Sequence, residues 1–479
     1  MKNMLNKDLI YSEMRYWQVP GLSISYVKDD KSYSYGFGFR DKEKNPVDEN
    51  TVFCIASCSK AMTSAIAAIL VSEGLIDYDV PVQQYVPHFR MADKDAEKKV
   101  TLRDMLCHRT GIAPHDGIWP DTISSADLCE RAAGLSFSAP FRSKAQYSNV
   151  IYAVAGYIME KVTGLTWPQI MQKYLFSPLG MSSTSCDTAS LIHSRNHAEP
   201  FQIMDGRLTQ LDIWNVDSVA PAASVNTTAV DMCKWLSFLV SKGKSPNGKQ
   251  LITPSVFEEM ITKQIDFTDF IEDPQLFPLD GYALGWQTGL YRGKHILRHT
   301  GKIEGYSAVH TFIPEEGIGV SLMLNFHSPT ISFMFSIMYD ILDRLLGVHS
   351  PLSTYRFHDN QPPEPQIFND CYEDLFKKRY PDAIPLHPQT DMSQYVGIYK
   401  NPGYGCIEIL IKDCRLYLKS RGRKSPLLPY WGELFKVIGF KEDIITYDLP
   451  VSFIRDHHKT IRALSIPCEP LTADIIFQK

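Results

Sequence analysis

The chain has no apolar run of membrane-spanning length. No stretch reaches the roughly 18 consecutive apolar residues that a spanning helix needs, and the nearest, ISFMFSIMYDILDRLLG, is interrupted by Asp340 and Asp343. Excess positive charge is missing as well: 49 Lys and Arg stand against 54 Asp and Glu, a formal charge of −5. That balance excludes the basic surface of a nucleic-acid or anionic-membrane binder. The ten cysteines are scattered, with no C-x-x-C and no Cys/His zinc spacing, so they read as buried thiols of a reducing compartment. The N-terminus, MKNMLNKDLIYSEMRYW, has neither an apolar core nor a small-residue cleavage site. The expectation is a cytoplasmic protein, or a mature form whose leader was removed before this numbering begins. Two glycine signatures are absent too. Gly36-Phe37-Gly38 has no third glycine and no following helix, which excludes a dinucleotide fingerprint, and no G-x-S-x-G occurs anywhere.

What remains is ordinary globular composition, 44% hydrophobic and 22% charged, with chain enough for roughly three domains. GLSISYVKDD and KSYSYGFGFRD read as a hairpin turning at Asp29-Asp30-Lys31. Helices follow from a start at Ser57 to a stop at Gly74, from Thr101 to near Gly111, and over Val150–Thr163. TWPQIMQKYLFSPLGM is another, broken at Pro178, and Thr228–Lys242 is one more. From Tyr282 the pattern turns to short β runs closed by a helix over Thr330–Leu346. Strands at both ends with helices between predict an α+β domain whose sheet joins distant halves of the chain. Residues 347–391 are Pro-rich and polar, as a linker is. Beyond them YVGIYKNP, CIEILIKD, CRLYLKS, LFKVIGF, IITYDLP, VSFIRD and IRALSIP predict a small all-β barrel or sandwich over 392–479.

Chemistry concentrates in FCIASCSKAMTSAIAAILVSEGL. Ser57 stands at a helix start, where free N–H groups favour negative charge, and Lys60 lies one turn behind it. A lysine in so apolar a helix must be desolvated, which lowers its pKa and makes it a base toward the hydroxyl. The same S-x-x-K spacing at Ser25 has strand-like flanks, and at Ser241 it lies in a polar turn, so neither repeat has this context. Tyr147-Ser148-Asn149 precedes a helix and offers a phenol and an amide, although Tyr399-Lys400-Asn401 matches as well. His299-Thr300-Gly301 ends a strand-like run, where glycine allows close backbone approach of a ligand.

In that order, S-x-x-K, Y-x-N and H-T-G resemble the motifs of the β-lactamase-related serine hydrolases: class C β-lactamases, D-alanyl-D-alanine carboxypeptidases, D-aminopeptidases and β-lactamase-like esterases. VPGLSISYVKD, VTLRDMLCHRTGI, YSNVIYAVAGYIMEKVTG, FSPLGM, PAASVNTTAVDMCKW and HTGKIEGY are similar to that family's habitual phrases, over about residues 8–345. The resemblance implies a β-lactamase/penicillin-binding-protein-like hydrolase domain over 1–346, with a helical subdomain against a sheet and the site between them. The all-β segment resembles an appended lipocalin-like domain. By the same resemblance Ser57 is the acylated nucleophile, Lys60 its proton partner and Tyr147 a second base and acid with a phenol pKa lowered by Lys60. Asn149 binds the substrate's acyl-side amide, with His299, Thr300 and Gly301 also at the substrate. The backbone N–H groups of Ser57 and Lys302 form the oxyanion hole. His299 stands where β-lactamases of this group usually carry lysine, which disfavours β-lactam hydrolysis. The implied activity is acyl-enzyme hydrolysis of peptides or amides containing D-amino acids. Small esters, or slow covalent penicillin binding without turnover, are the alternatives. No metal, cofactor, nucleic acid or membrane span is expected, and a homo-oligomer is left open.

Overall fold

The structure is a computed structural model describing residues 4–119, 124–204, 206–267, 279–327, 330–348, 376, 379–385, 391–420, 423–438 and 449–479. Seven strands form the main sheet: β1 (Gly21–Lys28), β2 (Lys31–Gly38), β3 (Leu279–Tyr282), β4 (Gln287–Tyr291), β5 (Lys294–Ile303), β6 (Tyr306–Ile313) and β7 (Ile318–Leu324). Their order is β2-β1-β7-β6-β5-β4-β3, every pair antiparallel. The pairing of β1 with β7, Leu22 opposite Leu324, joins distant halves of the chain as the strand pattern predicts. Asp29 and Asp30 both have positive φ. That conformation suits a two-residue hairpin, because its twist matches that of the flanking strands.

Five helices frame this sheet and the site: α1 (Lys7–Tyr16), α2 (Ser59–Ser72), α3 (Asn149–Thr163), α4 (Ala229–Val240) and α5 (Thr330–Leu345). Period-two alternation in β1 sends Leu22, Ile24 and Tyr26 into one apolar cluster with Ile10, Met14 and the α5 residues Phe333 and Met338. On the other face Ser25 donates to the carbonyl of Ala229 at the start of α4, 2.8 Å away. The helical region packs on that second face. In β5 the alternation places Leu297 and Ile303 in the same cluster as α2, so His299 and Gly301 share their face.

The C-terminal region is a closed barrel of eight antiparallel strands, β8 (Gly397–Asn401), β9 (Gly405–Lys412), β10 (Arg415–Ser420), β11 (Arg423–Pro429), β12 (Leu434–Val437), β13 (Pro450–Arg455), β14 (Ile461–Ile466) and β15 (Ile475–Gln478). Strand β11 carries Pro426 and Pro429 and so lacks the pattern of a regular strand. Most of the predicted strand IITYDLP and most of the linker read over 347–391 lie outside the described residues.

Several local expectations change. Pro178 does not break its helix: a π-helical turn, Gln172–Phe176, passes directly into Ser177–Leu179, and the chain leaves at Gly180. A proline in the first turn of a new segment needs no N–H donor. The helix expected to run from Thr101 to near Gly111 spans only Leu102–Leu106, started by a Thr101/Asp104 capping box and ended at Cys107. Among the described residues six cysteines are buried, but Cys406, on the solvent face of β9, and Cys414, in the turn that follows it, are exposed. Among the described residues no helix is long and apolar enough to cross a membrane.

Candidate active site

Ser57 lies in a single 3-10 turn, Ala56–Cys58, that runs into α2. The turn is pinned from both sides. Ile55 N–H donates to Val225 O at 2.9 Å, Ser59 Oγ donates to Ala56 O at 2.7 Å, and Val225 N–H donates to Ser59 Oγ at 3.0 Å. These bonds hold Ala56 at φ 45°, a left-handed conformation that costs a non-glycine residue about 1–2 kcal/mol. Opposite it stands Gly301 of β5. A Cβ there would lie 2.1 Å from Ile55 O and 3.1 Å from Cys58 N. The glycine of H-T-G thus admits the chain's own serine turn, a closer partner than the ligand expected from sequence.

Lys60 is fully buried. Its Nζ donates to Ser57 Oγ at 3.1 Å, Asn149 Oδ1 at 2.7 Å and Ala222 O at 3.1 Å. Burial lowers its pKa to about 7, against the raising influence of Asp116. Asn149 begins α3 behind the N-cap Ser148, and its Nδ2 donates to Asp116 Oδ1 at 2.9 Å. Tyr147 hydrogen-bonds to the Ser57 side chain, and its ring centroid is 4.6 Å from Lys60 Nζ. The expected lowering of its phenol pKa is not found. Desolvation raises it, outweighing the Ser57 hydrogen bond, and Tyr147 is a neutral phenol at physiological pH.

His299 is buried, with Nδ1 2.7 Å from Thr300 O and Nε2 2.8 Å from Tyr282 Oη. A carbonyl only accepts, so Nδ1 carries the proton and Nε2 accepts from Tyr282. Burial, and then the Lys60 charge, hold its pKa well below the usual imidazole range, so it is uncharged. Thr300 and Lys302 are half-buried near the end of β5, with Lys302 opposite Ser307 of β6. The structure therefore gathers Ser57, Lys60, Tyr147 and Asn149 into one network, with His299 and Gly301 on the strand beside it.

Sequence reasoning left two contributors unassigned. His108, at φ 61°, accepts the Ser148 N–H at 3.2 Å and packs its ring 4.3 Å from that of Tyr147. Its phrase, VTLRDMLCHRTGI, was the available signal. Asp116 carried none. It takes both Asn149 Nδ2 and Trp119 Nε1 on Oδ1. Its neighbour His115 is held by the barrel: Glu469 Oε2 accepts the His115 N–H at 2.7 Å, and Tyr404 Oη lies 2.8 Å from His115 Nδ1. Gly403 N of the barrel would lie 2.4 Å from a Cβ on Gly134, so the two surfaces meet backbone to backbone.

The beta-lactamase family model matches residues 11–333. The chain belongs to the beta-lactamase family. As a beta-lactamase-family member it is a serine hydrolase. It is 25% identical over 430 residues to an unguisins hydrolase of Aspergillus violaceofuscus, covering 84% of this chain and 75% of that protein. Its fold is similar to the octameric penicillin-binding protein homologue from Pyrococcus abyssi (TM-score 0.59, 22% identity, 98% of both chains). A class C beta-lactamase from Rhodobacter sphaeroides is similar over 71% of this chain and 99% of its own (TM-score 0.58, 20% identity).

Gly301→Ala is expected to destabilise the protein by about 1–3 kcal/mol, as overpacking does, and to slow covalent labelling of Ser57 by displacing its turn. Denaturant melts and fluorophosphonate labelling rates read the two effects, and unchanged values for both would show that the close approach is not needed. Glu469→Gln and Tyr404→Phe each weaken a bond to His115, so each should lower kcat several-fold while the barrel stays folded. Wild-type kcat in both would separate the barrel from the site.

Proposed function

We propose that this serine hydrolase forms an acyl-enzyme on Ser57 and acts on peptides or amides, with acyl donors containing D-amino acids preferred and small esters second. The observation that carries the reading is the buried Lys60 amine within hydrogen-bond distance of Ser57 Oγ, with its pKa near 7. Neutral Lys60 can take the Ser57 proton as Oγ attacks the acyl carbon. The resulting oxyanion would be met by the backbone N–H groups of Ser57 and Lys302. Because Tyr147 stays a phenol, its part is to pass a proton to the departing nitrogen while regaining one from the Lys60 ammonium. Water then attacks the ester with the same groups acting in reverse.

Substrate preference rests on His299. The imidazole is uncharged and tied to Tyr282 and Thr300, so this position supplies no fixed cation for a β-lactam carboxylate. That favours peptidase or esterase chemistry over β-lactam hydrolysis, and a relative named an unguisins hydrolase supports a hydrolytic reading. Asn149 would turn its amide to the acyl-side amide of the substrate.

Ser57→Ala should abolish fluorophosphonate labelling and turnover with the fold intact, and full labelling of the variant would mean that another serine reacts. Lys60→Ala and Tyr147→Phe should each lower kcat by at least about 100-fold. The profile of kcat/KM against pH should rise through about 7, because protonated Lys60 cannot accept a proton. Asp116→Asn removes a charge that raises the Lys60 pKa, so it should move this limb to lower pH. A limb that stays in place would remove Asp116 from the electrostatics of the base.

A further inference from the structure

Tyr147 is bracketed by one residue. The backbone N–H of Gln146, just before it, donates to the His108 carbonyl at 2.6 Å, and that of Ser148, just after it, donates to His108 Nδ1 at 3.2 Å. Between these two bonds the imidazole lies on the phenol ring, with centroids 4.3 Å apart and planes 35° from parallel. One histidine therefore holds the loop on both sides of Tyr147.

The grip is costly to keep. His108 adopts φ 61°, a left-handed conformation that costs a non-glycine residue about 1–2 kcal/mol. Because Nδ1 accepts a hydrogen bond, the ring proton sits on Nε2. That N–H is closed off from solvent and has no hydrogen-bond partner among the described residues. The rings of Tyr152 and Tyr282 are each centred 4.9 Å from the imidazole. A buried donor left unpaired costs a further ~1–3 kcal/mol. Burial, then the Lys60 charge and His299, hold the imidazole pKa well below its usual range, so Nδ1 stays available as an acceptor. Strain of this kind collects where function requires a geometry.

We propose that His108 is a positioning residue for Tyr147, setting the phenol where it can hand its proton to the departing group. The inference rests on the proton-donor part given to Tyr147 above. When an aryl phosphonate labels the site, Ser57 Oγ forms the bond to phosphorus and its proton passes to Lys60. The bond from phosphorus to the aryl oxygen breaks, and that oxygen takes the Tyr147 proton. A phenol needs this proton, whereas a nitrophenol departs as a stable anion. Misplacing Tyr147 must therefore slow reagents with basic leaving groups most.

The test uses the full chain and a series of aryl phosphonates whose leaving groups run from nitrophenol to phenol, with rate constants for labelling Ser57. Two variants release different parts of the grip. His108→Asn removes the ring, and asparagine tolerates the left-handed backbone; His108→Phe keeps a ring and takes away the acceptor for Ser148. Each should slow the phenol reagent by at least about 10-fold, as a displaced catalytic group does, and the nitrophenol reagent little. In a Tyr147→Phe background neither should alter the dependence on leaving group, because the donor is already gone. In the unmodified protein, histidine nitrogen NMR should show His108 Nδ1 without a proton at every pH at which Ser57 is labelled. No slowing, equal slowing of every reagent, an undiminished effect in Tyr147→Phe, or a proton on Nδ1 overturns the positioning role. The NMR arm decides even if neither variant folds. If Tyr147→Phe by itself leaves the dependence on leaving group unchanged, the proton-donor part of Tyr147 falls, and this inference with it.

Discussion

The buried amine of Lys60 is the constraint around which the site is arranged. Taking an ammonium out of water is costly enough that the group gives up its proton near pH 7. The folded state therefore binds fewer protons than the unfolded chain as pH falls from the ordinary lysine range toward about 7. Stability from this residue declines across that window and is constant below it. In the reaction proposed above, a neutral amine beside Ser57 is the useful form. Ser57 Oγ, Asn149 Oδ1 and Ala222 O fix its direction, and each acceptor comes from a different part of the chain.

That arrangement needs a stiff surround. The strained Ala56 turn is held between Val225 on one side and β5 on the other, and the absent side chain of Gly301 lets β5 come close enough. Behind the network, uncharged His108 and His299 sit against Tyr147 and Tyr282 with their imidazole pKa values pressed down by burial and then by Lys60. Neutral rings add packing without adding a second cation beside the amine. A charged residue in their place would deepen the penalty that Lys60 already bears.

The barrel is tied to the same network. Tyr404 and Glu469 reach His115, and the adjoining Asp116 supports Asn149 and Trp119. The C-terminal region thus contacts the segment that carries Asp116.

Local pattern was enough to read the hairpin β1–β2, helices α2 and α3, the serine and lysine on one helical turn and the all-β C-terminus, because each depends on neighbours within a few residues. It was enough for the family as well, since the three motifs and their surrounding phrases are contiguous stretches. Where local pattern was weak it failed: β11 was hidden by its prolines, and the π turn that carries the helix past Pro178 has no signature. Contacts across long separations were decided only by the tertiary structure. Asp116 meets Asn149 across 33 residues and Glu469 meets His115 across 354, distances over which no periodicity speaks. The Tyr147 phenol shows the same division. Sequence places it near a lysine, which argues for a lowered pKa, but burial of the whole pocket is a property of the fold, and desolvation outweighs the neighbour.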